Sequence, residues 1–200
     1  MGKKTLNQSK ISLYDYYILN WKWCLLTLLF IIEIIIFTWH NSMVNDSFLE
    51  YLNERVNFDG NVFLYIFIGN TRSALSLILM GLIPFGIGSL FCAFGALENI
   101  VLSVKYLLTY VSTRELILST IAHGVLEATA FYLSFVSSIL LSKAITSSIL
   151  CRIIGKKKGL CLLEESRMIF ESICYLLLPL LLIAAVFEVT VSWWIIVFYR

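Results

Sequence analysis

A long apolar run extends over Val62–Val111 and reads VFLYIFIGNTRSALSLILMGLIPFGIGSLFCAFGALENIVLSVKYLLTYV. A helix that crosses a hydrocarbon core about 30 Å thick needs roughly 20 residues, so this run is long enough for two such helices. The segment Pro84-Phe85-Gly86-Ile87-Gly88 lies near its middle, and proline and glycine are the strongest local breaks in a chain. The run therefore predicts two membrane-spanning helices joined by a tight hairpin.

The composition of the whole chain supports a membrane protein. Hydrophobic residues make up 60% of its 200 residues, charged residues 14%, and the mean hydropathy is +0.88. Soluble domains are roughly 45–50% apolar and about 25% charged, and a soluble chain of this length has too little interior to bury so many apolar side chains. The net charge of +2 gives no reason to expect a nucleic-acid partner.

Three further segments are long and apolar enough to span a membrane: Trp21–Trp39, about Leu116–Leu141 and about Tyr175–Val197. With the two helices of the central run, they predict an all-α, polytopic bundle of about five spans. Residues 21–200 then form a single transmembrane domain, preceded by an interfacial segment at residues 1–20. An alternative stays open for the second span, because Asn70-Thr71-Arg72 is costly in lipid: Phe63–Asn70 would lie on the membrane surface, and Arg72 would begin a shorter helix.

The distribution of Lys and Arg predicts the orientation. Basic residues cluster before the first span and in a loop at about 143–171, whereas the segment 40–60 has one arginine and four acidic residues. Cytoplasmic loops are enriched in Lys and Arg, so we expect the N-terminus and the loop on the cytoplasmic side of the cell membrane. An odd number of spans then places the C-terminus outside.

Ionisable residues inside predicted spans are candidate functional sites, because lipid is a costly environment for them unless they are paired. They are Glu33, Glu98, Lys105, His123, Glu127 and Glu188. His123 and Glu127 are four residues apart and so share one helix face, and Glu188 is deep enough in the last span to approach them. This trio is able to bind a divalent metal, relay protons or polarise a peptide bond. The alternative is that the trio only hydrogen-bonds neighbouring helices and specifies packing.

Signatures of soluble catalysis are missing from the sequence. It contains neither GxxxxGK[ST] nor GxSxG, and HxxxE lacks the second histidine of HExxH. We assign no cofactor and no metal, and we favour a non-catalytic membrane component over an enzyme. The basic residues Arg152, Lys156, Lys157 and Lys158 are the predicted partner-binding site, in contact with lipid headgroups or with a cytosolic ATPase.

Four blocks of sequence resemble the stage II sporulation protein M family of bacterial membrane proteins. They are Phe63–Arg72, Phe85-Gly86-Ile87-Gly88, His123-Gly124-Val125-Leu126-Glu127 and Ile183–Ser192, in this order. The family pattern usually has proline before the histidine and Leu-Pro after the glutamate, where this chain has Ala122 and Ala128-Thr129. The resemblance implies one of two roles: anchoring peptidoglycan-degrading partners during engulfment, or maturation and secretion of circular bacteriocins beside a small ABC-type ATPase.

Residues and resemblance together predict a membrane subunit of a peptide maturation or export complex. It would work with a cytosolic ABC-type ATPase, and a hydrophobic peptide would be held near His123, Glu127 and Glu188. Two alternatives stay open: a sporulation-type scaffold for cell-wall hydrolases, and an intramembrane peptidase or ligase. Self-association would shield the polar faces, and the number of copies is left open.

Overall fold

The computed structural model describes residues 12–43, 61–109, 112–154 and 162–192, and these segments are almost entirely helical. Five helical segments are long and apolar enough to cross a membrane: Trp21–Asn41, Val62–Met80, Pro84–Leu107, His123–Ile153 and Leu162–Thr190. Large apolar side chains such as Leu29, Phe91 and Phe170 are exposed on their outer faces, as expected where lipid replaces water. The predicted all-α bundle of five spans is confirmed.

Two helices form the N-terminal part of the bundle. Helix α1 covers Leu13–Leu19, and its N-cap is Ser12, whose Oγ accepts from the Asp15 amide at 3.1 Å. Helix α2, Trp21–Asn41, follows after Asn20 and buries only Thr27, Ile31, Ile34 and Thr38. This spacing of three and four residues gives one narrow buried stripe, so the rest of α2 faces outward.

The central apolar run folds as the predicted hairpin. Helix α3 covers Val62–Met80, a 3₁₀ turn covers Pro84–Gly86, and helix α4 covers Ile87–Leu107. Gly86 has φ +73°, and Phe85 is a non-glycine residue at φ +63°. Because α3 is continuous through Asn70 and Arg72, the alternative of a separate helix beginning at Arg72 is wrong.

Helix α5, Thr113–Ile153, is the central element of the bundle and has 41 residues. At 1.5 Å per residue it is about 60 Å long, about twice the hydrocarbon thickness. The sequence placed its end near Leu141 and a loop over 143–171. Instead, α5 continues through Lys143 and Arg152, because apolar residues still recur along 144–153 and neither proline nor glycine interrupts them.

The last span is one helix with two wider turns. Helix α6 covers Leu162–Ser172, a π-helical turn covers Ile173–Leu177, α7 covers Leu178–Phe187, and a second π-helical turn covers Glu188–Ser192. Pro179 follows the first π turn and lacks the amide hydrogen that would bond one turn back, which favours the wider turn there. The predicted loop at about 143–171 is therefore helical at both ends. Within it, residues 155–161 lie outside the described residues.

Serine side chains attach the hairpin to α5. Ser138 Oγ donates to the Leu77 carbonyl at 2.6 Å and lies 2.7 Å from Ser89 Oγ. Ser142 Oγ donates to the Ile83 carbonyl at 2.7 Å and accepts from the Gly86 amide at 2.7 Å. Since lipid offers no competing partner, such bonds between helices stabilise the bundle in place of a soluble core.

Candidate functional site

Three ionisable side chains meet within the helical bundle. His123 and Glu127 lie one turn apart on α5, and Glu188 is the first residue of the second π turn after α7. One ligand atom from each of the three side chains lies within 4.8 Å of the other two, and all three residues are half-buried. We call these residues the His–Glu–Glu cluster. The structure thus brings together the three residues that the sequence singled out.

Asn70 on α3 joins the cluster from a third direction. Its Nδ2 donates to Glu127 Oε1, which orients that carboxylate. Sequence reasoning had treated Asn70 only as a costly polar residue in a span and as part of a family block. The position of Asn70 in the sequence could have indicated this contact, since a polar residue at membrane depth needs a partner.

Small residues allow the helices around the cluster to approach closely. Ala130 on α5 and Ala184 and Ala185 on α7 are fully buried. Ala130 packs with Ala74 of α3 and Leu181 of α7 in one apolar core. Close contact through small side chains is the usual packing mode of membrane helices, and here it positions the three helices that carry the cluster.

Charge limits the states that the cluster can adopt. Two ionised carboxylates about 5 Å apart repel each other by about 3 kcal/mol at an effective dielectric constant of about 20. A proton or a cation placed between Glu127 and Glu188 removes this repulsion. The cluster is therefore suited to hold a proton, a metal ion or a polarised amide group.

The other intramembrane charges lie elsewhere. Ser42 Oγ, at the end of α2, donates to Glu98 Oε1 at 3.2 Å, and Lys105 Nζ donates to the Ser42 carbonyl at 2.7 Å. Lys105 also lies over the Trp39 ring, 5.5 Å from its centroid. Both residues therefore fasten the end of α2 to α4, which is a structural role. Glu33 is exposed on the outer face of α2.

Of the predicted partner-binding residues, the structure describes Arg152, which is exposed near the end of α5. Lys156, Lys157 and Lys158 lie outside the described residues. Lys143 also lies at this end of α5, where Nζ donates to Asn20 Oδ1 at 3.3 Å and lies 5.2 Å from the Trp23 ring centroid. These contacts hold the α1–α2 corner against α5.

A buried polar contact, which the sequence did not indicate, attaches α1 to α6. Tyr16 OH donates to Glu165 Oε2 at 2.5 Å, and both side chains are buried. The neighbouring Tyr17 hydroxyl lies 2.7 Å from Ser172 Oγ. Burial and then the Glu165 carboxylate raise the pKa of Tyr16 well above its usual value. Helix α1, in the described part of the predicted interfacial segment, is thus held against α6 by hydrogen bonds.

An apolar groove lies along α5 from Phe135 onward, beyond the two cluster residues of that helix. It has a volume of about 640 Å³ and lies between α2, the hairpin and α5. Its walls include Leu26, Phe30, Phe85 and Ile139, and its polar lining residues include Lys143 and Ser147. Its size lies in the range of roughly 300–1,000 Å³ that is typical of ligand pockets.

The fold and the site together define a polytopic helical membrane protein with a polar cluster between its spans. The family model of stage II sporulation protein M matches residues 24–193, which is most of the chain, so the chain belongs to the stage II sporulation protein M family. No curated protein and no solved structure matches it.

Proposed function

We propose that this chain is the membrane subunit of a complex that matures or exports a hydrophobic peptide of the bacteriocin type. A cytosolic ABC-type ATPase supplies the energy, and the His–Glu–Glu cluster is the point where the spans respond to the peptide. The observation that carries the proposal is the meeting of His123, Glu127 and Glu188 within 4.8 Å at the junction of two spans. Ionisable groups at membrane depth are expensive, and they mark substrate and ion pathways.

The apolar groove supports a hydrophobic substrate. Its walls are mostly aliphatic and aromatic, and they include the Lys143 side chain and several hydroxyl groups, which suits a peptide that has apolar side chains and a polar backbone. Phe85 lies in the groove at a positive φ and is 66% exposed. Strained backbone of this kind clusters at ligand clamps and switch regions.

The basic end of α5 supports the ATPase partner. Arg152 is exposed there, and the segment Gly155-Lys156-Lys157-Lys158-Gly159 follows it directly. A run of positive charge beside the membrane attracts an acidic protein surface as well as lipid headgroups.

The role of the cluster is tested by replacing His123, Glu127 and Glu188 singly with alanine. The variants are expressed in the natural host in place of the native chain, and the peptide released into the medium is measured by mass spectrometry. We expect at least about a tenfold loss of peptide for each variant. The matched control is Glu33→Gln, which also removes an intramembrane carboxylate but lies on the exposed face of α2. Full peptide output from all three folded variants would contradict the proposal.

The partner is tested by purifying the complex in mild detergent and identifying the proteins that remain bound. We expect an ABC-type ATPase, and we expect its loss when Lys156, Lys157 and Lys158 are replaced by glutamine. Replacement of Lys22, which lies over the Trp21 ring at 5.9 Å, is the control for a simple change in net charge. Recovery of a cell-wall hydrolase with no ATPase would favour the scaffold instead.

An intramembrane peptidase is the second candidate, and the same cluster favours it. An imidazole and two carboxylates are the groups that general acid–base hydrolysis uses. This candidate predicts that the purified complex cleaves a leader from the peptide and that Glu127→Gln abolishes the cleavage. Cleavage that persists in Glu127→Gln would remove it.

A further inference from the structure

We propose that His123, Glu127 and Glu188 bind one divalent transition-metal ion of the zinc class between α5 and the last span. The inference goes beyond the proposed function and does not depend on it, because metal content is a property of the purified chain. One imidazole nitrogen and two carboxylate oxygens are donors that Zn²⁺ and its neighbours accept. Three protein ligands leave a coordination position for water or substrate, which is the pattern of catalytic rather than structural zinc.

Only a small movement of the ligand atoms toward one another is needed to form a zinc site. The three ligand atoms lie within 4.8 Å of one another, whereas ligands on a tetrahedral zinc with bonds of about 2.1 Å lie about 3.4 Å apart. Rotation of the two glutamate side chains, by about 1 Å at their oxygens, closes this difference. The π turn that begins at Glu188 widens the helix at the ligand itself, and such turns frequently occur at functional sites.

Asn70 on α3 supplies a further observation. Asn70 Nδ2 donates to Glu127 Oε1, and hydrogen bonds of this type orient metal ligands.

The charges of the cluster suit a divalent cation. Glu127 and Glu188 repel each other when both are ionised. One divalent ion balances both carboxylates within a low-dielectric region. In the described segments, His123, Glu127 and Glu188 are the single group of three or more such side chains with metal-ligand spacing.

The test is metal content measured on the full-length chain, purified in detergent, loaded with Zn²⁺ and freed of loose ions on a chelating resin. Elemental mass spectrometry should find about one zinc ion per chain. His123→Ala and Glu188→Gln should each lower that content at least tenfold. His40→Ala and Glu33→Gln are matched controls, since His40 binds the Ile36 carbonyl at the far end of α2 and Glu33 is exposed; both should keep the native stoichiometry.

A second variant keeps all three ligands. Asn70→Ala should weaken zinc affinity by about 10- to 100-fold, the usual effect of losing a hydrogen bond to a ligand. Replacement with Co²⁺ should give visible absorption of a four- or five-coordinate ion in the native chain and lose it in His123→Ala.

Absence of zinc from the loaded native chain, or equal zinc in the folded ligand variants and the controls, would overturn the inference. Neither result depends on the peptide assay, so a failure of this inference is distinguishable from a failure of the proposed function.

Discussion

At the scale of single residues, the contact between Tyr16 and Glu165 shows how a short polar pair positions a helix. Tyr16 is 5% exposed and Glu165 8% exposed, and the hydroxyl donates to the carboxylate at 2.5 Å. A buried carboxylate without a donor is costly, so Tyr16 both packs α1 onto α6 and satisfies Glu165. Lys105 acts in the same way at the other end of α2, where it binds the Ser42 carbonyl.

The raised pKa of Tyr16 predicts a pH dependence of stability. The folded chain keeps the phenol proton above the usual Tyr value of 10.0, whereas the unfolded chain loses it there. The stabilisation is therefore fully present below pH 10 and falls as the pH rises beyond it. We expect Tyr16→Phe to lose less stability than the native chain between pH 9 and about pH 11, measured by thermal unfolding in detergent.

The control for this prediction is Tyr14→Phe on the same helix. Tyr14 is 75% exposed, so this variant should follow the native pH profile. Identical profiles for Tyr16→Phe and the native chain would show that the Tyr16 proton does not contribute.

At the scale of elements, the hairpin is held by close contact with α5 rather than by bulky side chains. Gly81 ends α3, and a Cβ placed there would meet the Ser138 carbonyl oxygen and lie 2.9 Å from Ser138 Cα. Both neighbouring atoms belong to the backbone and cannot rotate away. The serines at 138 and 142 then bond the α3 end and the turn to α5.

Gly81→Ala should therefore destabilise the chain by about 1–3 kcal/mol, as overpacking does elsewhere. The measurement is unfolding in a graded mixture of mild and denaturing detergent. Gly95→Ala on α4 is the matched control, because nothing lies within 4 Å of a Cβ at that position. It should be neutral or slightly stabilising, since alanine favours a helix by about 1 kcal/mol over glycine. Equal stability of the two variants would contradict the tight contact.

At the scale of the whole molecule, contacts between the spans show which helix ends lie at the same end of the bundle. The start of α2, the Pro84–Gly86 turn and the end of α5 lie at one end of the bundle, as the groove that touches all three shows. The end of α2 and the second half of α4 lie at the other end, joined through Ser42. The end with Lys143 and Arg152 is the basic one.

The excess of Lys and Arg predicts that this basic end faces the cytoplasm. In a chain whose native cysteines are replaced, we expect Met43→Cys to react with a membrane-impermeant maleimide on intact cells. Ile154→Cys should react only after the cells are opened. Met43 is 86% exposed and Ile154 64% exposed, so a difference in labelling would not come from burial of either side chain. Labelling of Ile154→Cys but not Met43→Cys on intact cells would reverse the orientation.

Much of this architecture follows from local properties of the sequence. The positions of the spans follow from hydropathy, because lipid admits only helices long and apolar enough to cross it. The break at Pro84–Gly88 follows from backbone chemistry. The shared face of His123 and Glu127 follows from the helical repeat, in which residues four apart lie on one side.

Other features depend on how the helices are rotated and packed against one another. Asn70 reaches Glu127, and Tyr16 reaches Glu165, across large separations in the chain, and no periodicity within one helix encodes such a pair. The approach of Glu188 to His123 likewise needs α5 packed against α7, as Ala130 packs with Leu181. Hydropathy selects which residues enter the membrane, but only side-chain packing between helices selects their partners there.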